Sequence, residues 1–336
     1  MAAKVSANFT DGLNIGLMVL ALVPAMLLPF ELFLFVYAIL GPLHYLTEIN
    51  WLHKKQYFTT RKHDYLVLIV FSCIIGFLPF TQSLWRYYIP LFVFIAFFAS
   101  FGFMFFEGTV KKILFTVVSA LIGYLLFTSF YANFRVVFLT LLPTIMHVFL
   151  FTGAFILLGA LRSKSRLGVA SLVVFVACAL VTLFAGAGFS VVSGYVAESY
   201  SPFRHLNMVM IDLFNVMHVD EIKADFDIPS RFSESDMPIY FSGTGIRIMR
   251  FIAFAYTYHY LNWFSKTSVI QWHNTKRRNL VIIAIIWIIS VALYIKDYKT
   301  GLKWLYVLSF AHVVLEFPLN HLSFVEIKRQ LLKRFG

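Results

Sequence analysis

The chain has 336 residues, 60% of them hydrophobic, 18% aromatic and only 13% charged, a balance that no soluble domain of this length can bury. Its net charge of +12 does not point to nucleic acid, because the basic residues fall in short clusters between apolar runs rather than on a soluble basic domain. The only two cysteines, Cys73 and Cys178, lie inside apolar runs, which excludes a disulfide framework and a paired-thiolate metal site.

An all-α fold follows, a polytopic transmembrane helical bundle, because a chain in lipid must satisfy its own backbone hydrogen bonds. Runs of roughly 20 apolar residues are long enough to span a bilayer. Ten such spans are expected, at 12–29, 31–52, 64–82, 86–106, 110–131, 134–161, 168–194, 244–265, 279–296 and 302–323. The first follows Lys4 and has the outline of a signal peptide, but it has no small-x-small cleavage site and is read as a retained helix. The tight Pro29-Phe30-Glu31 junction predicts a hairpin between the first two spans. With the N-terminus inside and sides alternating, 18 of the 28 basic residues fall on the inner side. Both termini are therefore expected in the cytoplasm, in a bacterial inner membrane. Residues 1–336 are read as one transmembrane domain.

One long segment, 195–243, interrupts the spans on the outer side. It is acidic, with Glu198, Asp212, Asp220, Glu221, Asp225, Asp227, Glu234 and Asp236. Within it Leu206, Val209, Met210, Leu213, Phe214 and Met217 recur at helical spacing, which predicts an amphipathic helix lying on the outer surface. It would serve as a structured connector or as a lid over a lipid-facing opening.

Polar groups within the spans carry the functional signal. An ionised side chain at a helix centre costs about 3 kcal/mol even on the lenient insertion scale, so it persists when paired, protonated or bound. His44, His147, His259 and His312 fall at similar expected depth on four different spans, whereas His321 lies near the inner surface beside Pro318 and Asn320. Glu48 follows His44, and Glu316 follows His312, by four residues, which places each pair on one helix face. Each pair could simply satisfy itself. Alternatively, His44, His147, His259 and His312 are metal ligands, with Glu48 and Glu316 orienting imidazoles or joining the coordination sphere. Asn262 would donate to a carboxylate or a bound oxygen species, and Tyr256 would line a lipophilic cavity. Arg247 and Arg250 are expected to snorkel to the surface. Histidine and carboxylate without thiolate suit iron, zinc or copper. No HExxH is present, and the HxxxH and HxxHH boxes of membrane desaturases are absent too.

Gly41, Pro42, His44 and Glu48, with the late Phe310-Ala311-His312 and Glu316, resemble the motifs of the Brp/Blh family of bacterial membrane β-carotene dioxygenases. His259 stands where that family's penultimate histidine helix would be. The chain departs from the family in placing Leu43 between Pro42 and His44 and in carrying one histidine rather than two around position 259. The resemblance implies histidine-bound iron and dioxygen-dependent oxidation or cleavage of a carotenoid or similar lipophilic substrate. Three other readings stay open: a proton- or ion-coupled transporter with a helix break at Pro143, a haem-binding electron carrier with two axial histidines, and a membrane anchor. Membrane lipids are expected contacts in all of them.

Overall fold

The computed structural model describes residues 7–186, 192–214, 232, 236–266, 271 and 274–335. The described residues are all-helical. In chain order the helices are α1 (Ala7–Leu27), α2 (Pro29–Lys54), α3 (Tyr65–Phe77), α4 (Ile89–Phe105), α5 (Thr109–Ser129), α6 (Tyr131–Ser163), α7 (Arg166–Phe184), α8 (Gly194–Tyr200), α9 (Arg204–Phe214), α10 (Gly243–Ser265), α11 (Arg277–Lys296) and α12 (Tyr298–Phe335). Eight of them, α1, α2, α4 (from Leu84), α5, α6, α7, α11 and α12, are long and apolar enough to cross a membrane. This is a membrane protein by that criterion. The expected span at 64–82 is the shorter apolar stretch Tyr65–Phe80. The one at 244–265 is α10, whose Arg247, Arg250, His259 and Asn262 dilute its apolar character.

The chain packs as two compact units, residues 1–40 with 163–268, and residues 41–162 with 269–336. In the first unit α1 packs against α7 and α10, and α7 against α10. The α1–α2 junction is a single residue, Leu28. Its N–H donates to the Pro24 carbonyl at 2.8 Å, and its own carbonyl accepts from Leu32 N–H at 2.9 Å. Aromatic rings fill this unit: Phe33 lies edge-on to Tyr200, Phe203 and Tyr256, all within 5.5 Å between ring centroids. Tyr256 thus packs in a ring cluster. Gly245 is required here, since a Cβ would collide with the carbonyl oxygens of Pro238 and Ile239. Leu206, Val209, Met210 and Ile211 of α9 are buried, and Leu213 is exposed. The expected continuation of that helix to Met217 lies outside the described residues, as do Asp220, Glu221, Asp225, Asp227 and Glu234 of the acidic segment.

In the second unit α12 packs along α3, α4, α6 and α11, and α4 also contacts α3, α5 and α6. Residue 76 is glycine because α12 passes so close that a Cβ would sit 3.0 Å from the Val307 backbone. α6 is not broken at Pro143. Between Val136 and Phe151 it widens to π-helical bonding, with each carbonyl reaching five residues on. Proline removes one donor and crowds the carbonyl four residues back, so a wider ladder accommodates the ring without ending the helix. α12 likewise runs through Pro318 and continues twelve residues past the expected boundary.

The α2–α3 link holds three consecutive left-handed residues, Gln56, Tyr57 and Phe58, with φ of 51°, 52° and 56°. Such a conformation costs non-glycine residues about 1–2 kcal/mol each. Packing offsets it. Tyr57 is buried, stacks on Tyr65 at 4.7 Å and meets the edge of His53 at 5.8 Å, while Phe58 packs on Trp51. Burial, with Tyr65 beside it, pushes the Tyr57 phenol up to about 12, so it stays neutral across the physiological range. Gln56 is exposed and brings only the strain. Gln56→Gly is therefore expected to stabilise the protein by about 0.5–1 kcal/mol, read as a raised melting temperature in detergent, with Gln56→Ala near neutral. A lowered melting temperature for the glycine variant would contradict the left-handed turn.

Candidate metal centre

His44, His147 and His312 come together in the second unit from three helices. Each offers one ring nitrogen, and these nitrogens all lie within 4.8 Å of one another. All three are buried, at 1%, 2% and 3% exposure. Local sequence explains their placement. Gly41 and Pro42 sit three and two residues before His44, at the point where α2 passes from one unit to the other. His147 lies in the π-helical stretch, where the wider ladder turns the side-chain direction away from that of a regular helix. His312 sits mid-helix on α12, four residues before Glu316 on the same face.

The tightest contact is between His147 Nε2 and His312 Nε2, at 3.1 Å. Two neutral imidazoles can share one proton at that distance. It is also the separation of two nitrogens that ligate a common first-row ion, because bonds of about 2.1 Å at 90–109° place ligand nitrogens roughly 3.0–3.4 Å apart. The rings stand at 74° to each other with centroids 5.0 Å apart. His44 joins from the other side, its ring centroid 5.5 Å from that of His312 at 80°.

Two carboxylates back the imidazoles. His44 Nε2 lies 3.0 Å from Glu48 Oε2, so the i, i+4 pair within α2 forms as its spacing predicts. The second pairing differs. Glu316 does not close on His312 within α12; its Oε2 reaches His147 Nδ1 on α6 at 3.2 Å. The two residues share a helix face, but that face is turned toward α6, whose imidazole is the nearer partner. A carboxylate beside Nδ1 favours the proton on that nitrogen, which would leave the Nε2 lone pair on the side of His312. Glu48 and Glu316 are 2% and 3% exposed. A dication held by three neutral imidazoles beside two carboxylates sums to zero charge, the least costly total in an apolar interior.

Other sequence candidates lie elsewhere. His259 and Asn262 belong to α10 in the first unit, both buried, with the Asn262 carbonyl accepting from Ser265 Oγ at 2.8 Å. His321 bonds the Phe97 carbonyl through Nε2 at 2.8 Å. His218 and His273 lie outside the described residues. Two neighbours escaped the sequence reading. Tyr45 stacks on the His312 ring at 4.1 Å and 19°, so residues 44 and 45 both face the centre from adjacent positions. Asn320, four residues past Glu316 and 1% exposed, extends the polar face of α12 one turn further. The repeated spacing of 312, 316 and 320 was the available signal for Asn320; for Tyr45 there was none. Comparison of the chain with family models, curated proteins and solved structures returns no match.

Proposed function

We propose that the protein is a multi-pass membrane enzyme in which His44, His147 and His312 hold an iron ion and a carotenoid or other lipophilic substrate is oxidised by dioxygen. The observation that carries this reading is the convergence of three buried imidazoles from α2, α6 and α12, two of them backed by carboxylates at 3.0 and 3.2 Å. Histidine nitrogen and carboxylate oxygen without thiolate suit a non-haem iron site. Bound there with open positions, iron would supply activation of dioxygen. The chain's own residues do the rest. Glu316 sets a negative charge beside His147 Nδ1, Glu48 sets one beside His44 Nε2, and Tyr45 stacks on the plane of His312. The apolar helices around them exclude water and admit a greasy substrate from the bilayer.

A haem reading is less well supported, because axial imidazoles on opposite faces of the macrocycle would stand about 4 Å apart at metal–nitrogen bonds of about 2.0 Å, wider than the 3.1 Å between His147 and His312. In the same proposal the ten expected spans, including Tyr65–Phe80 and α10, cross a bacterial inner membrane with both termini in the cytoplasm. The 195–243 segment then lies outside, with α9 as its amphipathic helix.

The test is dioxygen uptake by protein loaded anaerobically with iron(II) and given a conjugated polyene in mixed micelles. Iron-dependent uptake with loss of the polyene's visible absorbance is expected. Absence of uptake by the loaded protein, with proton-coupled solute accumulation in vesicles, would replace the enzyme by a transporter.

A further inference from the structure

Tyr45 meets two of the three imidazoles of the metal centre. Its ring stacks on His312 at 4.1 Å and 19°, and stands near edge-on to His44 at 5.7 Å and 70°. It is buried, and it belongs with both histidines to the second unit. Consecutive positions on a helix point in different directions. On α2 the first of the pair supplies an imidazole and the second covers a face of another imidazole, on α12. The His312 ring is thus held in two ways, by the His147 nitrogen at 3.1 Å from its Nε2 and by the Tyr45 ring against its face.

A neighbour favours ion binding only if its contact is stronger with the ion present than without it. A stacked phenol meets that condition. An ion on a ring nitrogen draws electron density from the imidazole and leaves the ring partly positive. The face of an aromatic ring carries the negative part of its quadrupole and attracts a positive group laid over it. The attraction grows with the charge on the ion, so it favours the oxidised state of a redox metal over the reduced one. We propose that Tyr45 is a positioning residue of the metal centre, whose ring holds His312 in the orientation that ligates and favours the more highly charged state of the bound ion. It rests on the three-histidine site of the proposed function, and on neither its dioxygen chemistry nor its substrate.

The experiment uses the full chain in detergent. Cobalt(II) affinity is measured by competition with a chelator, and the cobalt d–d absorption reports ligand geometry. The iron(III)/iron(II) reduction potential is measured on iron-loaded protein. Tyr45→Leu is expected to weaken cobalt binding by about tenfold, to change the d–d spectrum and to raise the iron potential. Tyr45→Phe keeps the stacked ring and should match wild type in affinity and spectrum. If Tyr45→Leu does not fold, Tyr45→Met, flexible and without an aromatic face, takes its place. A Tyr45→Leu protein with wild-type affinity, spectrum and potential and only a lower melting temperature would overturn the proposal and make Tyr45 a packing residue. Equal losses in Tyr45→Phe and Tyr45→Leu would overturn it too, by placing the effect on the hydroxyl. Wild type that binds neither ion would overturn the site and this proposal together, whereas metal-bound protein without dioxygen uptake would overturn the proposed reaction alone.

Discussion

Replacing His312 by alanine is expected to lower metal affinity by at least about a hundredfold. Loss of a mere orienting partner typically costs 10–100-fold, and loss of a ligand costs more. His312 is the natural choice because its Nε2 faces that of His147 at 3.1 Å and its ring also neighbours His44. Affinity is measured by competition with a chelator, and melting in detergent confirms that the variant folds. His312→Gln, closer in volume, keeps the test interpretable if alanine leaves the stacked Tyr45 unsupported. His321→Ala should leave affinity unchanged, since that ring is bound to the Phe97 carbonyl. His259→Ala should do the same, as its ring is not in the group formed by His44, His147 and His312. Equal losses for His259→Ala and His312→Ala would restore the four-histidine set that expected depth alone suggests.

Glu316→Gln is expected to weaken metal binding by about 10–100-fold with little change in fold, because it keeps the side-chain size and removes the charge. The carboxylate acts through His147. Its Oε2 stands at ion-pair distance, 3.2 Å, from Nδ1, and a negative charge there favours the proton on that nitrogen and raises the basicity of the opposite one. It also brings one of the two negative charges that offset a bound dication. Glu48→Gln should weaken binding through His44 in the same way, and the double variant should lose more than either single one. A Glu316→Gln variant with unaltered affinity but a lower melting temperature would make the carboxylate a structural partner of His147 alone.

Position along each helix was legible in the sequence, and direction around each helix was not. Counting residues from span ends put His44, His147, His259 and His312 in one slab, and the structure brings three of them within reach of one another. Depth follows from a fixed rise per residue, whereas facing is set by packing against neighbours that a single sequence does not reveal. The same distinction explains the carboxylates. The i, i+4 rule places Glu48 correctly on His44, whose partner is on its own helix. It misses the Glu316 partner, which is on α6. Hydropathy recovers the eight long apolar helices, because composition alone decides them. It is weaker for α10, where Arg247 and Arg250 are buried or half-buried inside protein rather than exposed to lipid. At Pro143 a break was the local expectation, and the ladder widened instead, in a stretch that packs against α4 and α12.

The central claim is that three imidazoles from α2, α6 and α12 share one ion. X-ray absorption at the metal edge of the iron-loaded wild-type protein tests it most directly. The predicted spectrum has nitrogen and oxygen donors at about 2.0–2.2 Å, with outer-shell scattering from three imidazole rings that falls to two in His312→Ala. An all-oxygen first shell with no imidazole scattering, unchanged in His312→Ala, would contradict it.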